Sequence, residues 1–297
     1  MWDGIGGRYD PPALRRLVVI ARGRADRAAA VALRHESLME TAAASMRPFH
    51  RRMADLHRAT ERKHRVAAEL HASYLDAVGH WADRPEQSPG LPPAFMTAVA
   101  ETTGIRSLAV ALFTTGGSEA SVVVSDPLAA KAHDLEDILG EGPSRDEPLK
   151  PGVCFEPELV SRWPRFGLAA RELGVRAVVS ARLGVAGRPM GTLTAYRPEP
   201  EPSAELARSL ESLAEALTTT ALNPEVRLDG EDGLPVHPLF GDIDLRVVVH
   251  QATGVVMAGR DCTASDALAM IRAHAFAQDV SVTELAKAIV ARTYRLS

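Results

Sequence analysis

Apolar or neutral side chains recur at alternating steps of three and four from Met39 to Trp81, through Ala42, Met46, Phe49, Met53, Leu56, Ala67, Leu70, Tyr74 and Ala77, with Thr60 and Lys63 as weak polar interruptions. That is heptad spacing, and helical patterning extends back to Ala13. Pro48 lacks the amide hydrogen a helix interior needs, so two helices are predicted here instead of one rod. A dimerising coiled coil and a helical hairpin would each use such a seam. Beyond residue 93 the period changes. Apolar runs at 108–113 and 122–124 flank Thr114-Thr115-Gly116-Gly117-Ser118, which reads as a hairpin. From Val175 to Leu183 the pattern is mostly period two, and Gly184-Val185-Ala186-Gly187 turns it into a further strand at 190–196. Helical patterns at 94–103, 168–173 and 204–222 surround these strands, an order that predicts an antiparallel α+β domain.

The last segment reads as three helices. The first covers about 243–258 and is expected to bury Leu245, Val248, Val249, Ala252, Val255 and Val256. Thr263-Ala264-Ser265-Asp266 and Ser281-Val282-Thr283-Glu284 are capping-box starts for the second and third. Their apolar faces are Ala267, Leu268, Ile271 and Ala275, then Val282, Leu285, Ala286, Ile289 and Val290. Proline-rich polar stretches at 82–93 and 223–238 mark the boundaries. The predicted organisation is therefore a multidomain α and α+β chain. It has a helical or coiled-coil segment at 1–82, a sheet domain with flanking helices at 94–222, and a three-helix module at 240–297.

Composition narrows the function. Of 297 residues only 5% are aromatic, and the net charge is −4, so the whole chain advertises no polyanion partner. Cys154 and Cys262 share no metal-type spacing, and free thiols fit a reducing, cytoplasmic setting. Apolar runs are too short to span a bilayer, so no membrane association is expected. No catalytic signature appears: His35-Glu36 lacks the second histidine of a zinc motif, and Gly140-Glu141-Gly142 precedes proline and not a nucleotide-binding helix. The chain is expected not to be an enzyme and to need no cofactor. His50, His57, His64 and His71 lie seven apart, and His57, Glu61 and His64 share a helix face. This stripe is read as flanking the apolar seam, with no metal bound.

Three stretches carry a resemblance: Leu139-Gly140-Glu141-Gly142-Pro143-Ser144-Arg145-Asp146, Arg162-Trp163-Pro164-Arg165-Phe166 and Leu173-Gly174-Val175-Arg176-Ala177-Val178. In order and spacing they resemble the GAF domains of actinobacterial regulators. That resemblance implies a GAF-type antiparallel sheet with a small-molecule cavity, its ligand unknown, with Arg145, Cys154, Trp163 and Phe166 near the pocket mouth. Cys154 sits in an apolar stretch, so a chromophore attached there is not expected.

The C-terminal module resembles the ANTAR domain through Val249-His250-Gln251-Ala252-Thr253-Gly254-Val255-Val256-Met257, Ala267-Leu268-Ala269-Met270-Ile271-Arg272-Ala273-His274-Ala275 and Val282-Thr283-Glu284-Leu285-Ala286. The joint resemblance is to transcription antitermination regulators with GAF and ANTAR domains. It implies binding of RNA hairpins by a homodimer, with control of transcription termination or translation. Gln251, Gly254 and Arg272 match the family pattern, and Lys287, Arg292 and Arg295 add charge. Arg272 is expected to reach solvent and grip RNA. Thr253 departs from the lysine common in the family. Arg246, Arg260, Arg272, Lys287, Arg292 and Arg295 are balanced by Asp242, Asp244, Asp261, Asp266, Asp279 and Glu284, so charge alone would not have suggested RNA. A helix-turn-helix DNA regulator, or a sensor that only dimerises and docks on a protein, remain the alternatives.

Overall fold

The computed structural model describes residues 10–83, 93–113, 119–146, 152–155, 158–185, 188–200, 203–222, 237–240, 246–278 and 280–296. Most of both proline-rich boundaries, the 114–118 turn, residues 186–187 and the expected helix start at 243 lie outside them. The chain divides into two compact units, residues 1–102 with 211–241, and residues 103–210 with 242–297.

In the first unit α1 (Pro11–Thr41) and α2 (Arg47–Ala82) pack as a hairpin, which brings Ala21 to Ala67 and His35 to His50. Asp10 caps α1 by accepting from the Ala13 amide at 3.2 Å, with prolines in the first turn. Pro48 sits in the first turn of α2, where its missing donor costs nothing. The buried face of α1 is mostly alanine: Leu14, Val18, Ala21, Ala25, Ala28 and Ala32, at steps of three and four. Ala21 clusters with Ala67 and Ala68 of α2 and with Ala216 of α7 (Ala204–Ala221), and such small side chains permit close helix approach. The heptad seam divides along its length. Ala67, Leu70 and Tyr74 are buried, while Met46, Phe49 and Leu56 are exposed, Leu56 by 56%. On α3 (Phe95–Thr103), Phe95 meets Tyr74 edge-on at 5.2 Å, and a single 3-10 turn at Pro238–Phe240 completes the unit.

The second unit holds an antiparallel five-stranded sheet of order β2-β1-β5-β4-β3. Its strands are β1 (Leu108–Phe113), β2 (Glu119–Val124), β3 (Gly152–Phe155), β4 (Ala177–Val185) and β5 (Arg188–Arg197). β3 is an edge strand that the four-strand reading missed, being only four residues long. One face is covered by α4 (Pro127–Leu139), α5 (Glu158–Arg162) and α6 (Pro164–Glu172), whose Ala129, Ala132, Leu159, Phe166 and Ala170 pack on Ala109, Cys154, Val178 and Tyr196. The same unit contains α8 (Arg246–Arg260), α9 (Ala264–Ala277) and α10 (Val282–Val290). Both capping boxes form, Thr263 with Asp266 and Ser281 with Glu284. The three helices close on Val249, Ala252, Val256, Ala267, Ile271, Ala275, Val282, Leu285, Ala286 and Ile289, and Ile138 of α4 packs against this core. Two residues expected inside are outside: Val255 is 48% exposed and Val290 36%.

Candidate functional site

The loop 140–146 explains why its residues occur together. Asp126 starts α4 by accepting from the Ala129 amide, and Gly140, in the left-handed region at φ 68°, ends it. Gly142, at φ 145°, lies so close to Glu136 that a Cβ would overlap that side chain. The turn then wraps Glu136, whose Oε2 accepts from the Ser144 amide at 2.7 Å and from its hydroxyl, while Tyr196 donates to Oε1 at 2.5 Å. Complete burial pushes the Glu136 carboxyl up, against the pull of His133, Ser144 and Tyr196. Burial, reinforced by Glu136, pushes the Tyr196 phenol up as well.

Farther along the loop, Glu141 accepts from the amides of Arg165 and Phe166, the first turn of α6. Asp146 accepts from Trp163 Nε1 and Arg162 Nε, both at 2.8 Å. Two of the motif stretches therefore form one physical unit that staples α4 to α6.

Arg145 joins two buried carboxylates. Its Nη2 lies 2.7 Å from Glu119 Oε2 and 2.8 Å from Asp137 Oδ1. His133 Nε2 approaches the same Glu119 oxygen at 3.1 Å. Arg272 of α9 then reaches the same Asp137 oxygen, with Nη2 at 2.5 Å and Nε at 3.1 Å. The side chains run His133, Glu119, Arg145, Asp137, Arg272. A carboxylate as buried as Asp137 is tolerable only when paired, and here two guanidiniums share it.

This placement corrects several expectations. Arg272 is half-buried and turned to Asp137, because removing that carboxylate from water requires its charge. Cys154, Trp163 and Phe166 lie inside the hydrophobic core under α4 and α6, where their apolar area is removed from water, and not at a pocket mouth. Burial pushes the Cys154 thiol up, which disfavours the nucleophilic thiolate. Sequence reasoning missed Glu119, Asp137, Thr192 and Thr194. Arg145 Nε and the Thr192 and Thr194 hydroxyls are buried without hydrogen-bond partners. Thr194 pairs with Ala109 across the sheet, which puts it on the α4 face. Periodicity had marked β5 as a strand, but nothing in it signalled that its hydroxyls would be buried.

On the three-helix unit, Gln251, Gly254, Lys287, Arg292 and Arg295 are all exposed. Thr253 is buried and donates its hydroxyl proton to the Val249 carbonyl at 2.8 Å, which satisfies it within its own helix. Arg292 and Arg295 line a cavity of about 410 Å³ between α8 and the segment after α10, together with Arg260 and Tyr294. Arg272 stands apart from this group, on the α4 side.

In the hairpin, Glu61 is bound by Arg58 at 2.8 Å and Arg65 at 2.6 Å, which hold its carboxyl below the usual range. It is therefore engaged away from His57 and His64. His50 meets His35 at 2.9 Å, and His71 meets His237 at 2.8 Å, both partners unforeseen. Among the described residues no group of three or more His, Cys, Asp or Glu side chains is arranged to hold a metal. No helix among them is long and apolar enough to cross a membrane.

The class defined at the C-terminal end is a capped three-helix bundle with an arginine-rich exposed side. Residues 241–290 match the ANTAR domain, so the chain carries this RNA-binding regulatory module. No curated protein and no solved structure matches the chain.

Proposed function

We propose that the chain is a cytoplasmic, signal-responsive regulator. It binds RNA hairpins through its ANTAR domain and thereby controls transcription termination or translation. The ANTAR match at 241–290 is the observation that carries this reading. Exposed loop bases and phosphates are the features such a module reads, with arginine supplying charge-assisted contacts. The sheet domain is the sensor, GAF-like in its motifs. A small-molecule ligand would meet Arg145 and the unpartnered Thr192 and Thr194 hydroxyls on the α4 face.

Asp137 supplies the link between sensor and output, since Arg145 and Arg272 bind the same oxygen. Arg272 cannot grip a phosphate while its guanidinium holds Asp137, so an anionic ligand that draws Arg145 away changes what holds Arg272. The chain works as a homodimer, and exposed Met46, Phe49 and Leu56 on the hairpin provide an apolar face for a second copy.

Filter binding of the full chain to hairpin RNAs with randomised short loops, against duplex DNA at matched salt, tests the reading. RNA is expected to win, and preference for duplex DNA would favour a helix-turn-helix regulator. Binding to neither would leave a protein-docking sensor. Asp137→Asn should tighten hairpin binding several-fold, and unchanged affinity would sever the proposed link.

A further inference from the structure

Helix α8 contains two glycines, Gly254 and Gly259, that the fold does not require. A Cβ at either would meet nothing within 4 Å. An interior helix glycine costs roughly 0.5–1 kcal/mol against alanine. Within the chain that cost has no steric return, whereas a partner whose backbone or base plane must approach the helix closely would be obstructed by a side chain. Gln251, Val255 and Gly259 are spaced by four and so share one stripe of the helix. Val255 and Gly259 line the cavity at the end of that stripe.

The cavity has two chemistries. Val255, Val256 and Ile289 give it an apolar floor. Arg260, Arg292 and Arg295 line it as well and give it positive charge. Arg260 donates to the Leu296 carbonyl, and among the described residues no carboxylate pairs with Arg292 or Arg295. This is the reverse of Arg272, whose charge Asp137 already satisfies. Tyr294 contributes an aromatic ring, and its position is fixed from α9: its hydroxyl is held by His274 Nδ1 at 3.1 Å and by Gln278. At about 410 Å³ the space lies near the small end of ligand pockets, which run from roughly 300 to 1,000 Å³.

From this the geometry points to a nucleotide subsite, resting on the RNA-binding reading above. One unstacked base lies over the Val255 and Ile289 floor beside Tyr294, and its phosphate is held by Arg292 and Arg295. A flat apolar face joined to an anion is what this pairing of surfaces recognises, and aromatic or guanidinium planes are the usual platforms for splayed RNA bases. Arg292 and Tyr294 follow residue 290, so the subsite extends past the matched ANTAR segment. The nucleotide comes from a hairpin loop, and a free mononucleotide presents the same chemistry.

The test uses the full chain and the hairpin that it enriches from a randomised-loop pool. Gly259→Leu fills the cavity from a position where a side chain meets nothing, so folding is spared. It should weaken hairpin binding at least tenfold without lowering the thermal midpoint, and Arg295→Ala should weaken it several-fold. Millimolar AMP, GMP, CMP and UMP serve as competitors. Displacement by one of them assigns the pocket to a free nucleotide, and no displacement assigns it to a loop nucleotide held within its RNA. Wild-type binding that both variants retain in full overturns the subsite and leaves the RNA reading standing. A wild-type chain that enriches no hairpin overturns both.

Discussion

Two regions of the molecule bury polar side chains by opposite means. In the sheet unit, Glu119, Asp137, Arg145 and Arg272 are joined in ion pairs, with distances from 2.5 to 2.8 Å. In the hairpin unit, His71 and His237 meet at 2.8 Å among Tyr74 and Phe95, and burial disfavours a charge on either ring. The tautomers follow from the geometry. His237 Nδ1 accepts from the Leu239 amide at 3.1 Å, which leaves its proton on Nε2 to donate to His71 Nε2. His71 then holds its own proton on Nδ1, a buried atom without a partner. The lesson is one of fragility. A paired cluster fails when one member is deleted, and a neutral pair fails when a proton is added.

The largest effect should come from deletion in the paired cluster. Asp137→Ala takes from Arg272 the carboxylate that it binds and leaves Arg145 with Glu119 alone. Breaking a buried pair costs about 3–5 kcal/mol, and the lower end applies because the Arg272 side chain is 26% exposed. Urea unfolding should show this loss, and a change under about 1 kcal/mol would mean the cluster is solvated. In a double-mutant cycle, Asp137→Ala and Arg272→Ala should be strongly non-additive.

Acid should produce the next effect, in the other region. Burial holds His71 down to about 4, and His237 is lowered by burial and by His71. Above about pH 6.5, the ordinary histidine value, folded and unfolded chains both carry neutral rings and the pair contributes fully. As pH falls below that, the unfolded chain takes up protons that the folded chain refuses, and stability declines until about pH 4. For His71 alone the expected loss from pH 7 to about 4.5 is roughly 2–3 kcal/mol, and His237 adds to it in the same direction. His71→Leu should lower stability at neutral pH yet flatten this slope, and an unaltered slope in that variant would place the acid sensitivity elsewhere.

What could be read in advance follows the range of the contacts. The C-terminal helices were legible because their signals are local. Ser281 and Glu284 are three residues apart, and Val249, Ala252 and Val256 repeat on one face. Ser281→Ala should accordingly cost only about 1 kcal/mol. The charged cluster was hidden because Asp137 and Arg272 are 135 residues apart, and nothing local tells a buried aspartate on α4 from a solvated one. The histidine pair spans 166 residues for the same reason. The stripe at His50, His57, His64 and His71 was visible, but its partners His35 and His237 were not. The exposed arginines at 292 and 295 were noticed as charge, while the cavity they line needed the backbone, since Arg292 itself adopts φ 58° to turn the chain back over α8.

The smallest expected change runs in the stabilising direction and separates folding from binding. Gly254 lies inside α8 and is exposed, and a Cβ there meets nothing. Gly254→Ala should therefore raise stability by about 0.5–1 kcal/mol, because alanine loses less backbone entropy on entering the helix. Thermal melts of the full chain would register this as a rise of a few degrees at most. Fold alone gives no reason for glycine at this position, so a reason must come from what touches the helix. If hairpin RNA approaches the Gln251 side of α8, the same methyl should weaken RNA binding while the protein becomes harder to unfold. A variant that is more stable and binds equally well would show that this side of α8 faces only water. Such a result would move the RNA contact toward Lys287 and the arginines beyond α10.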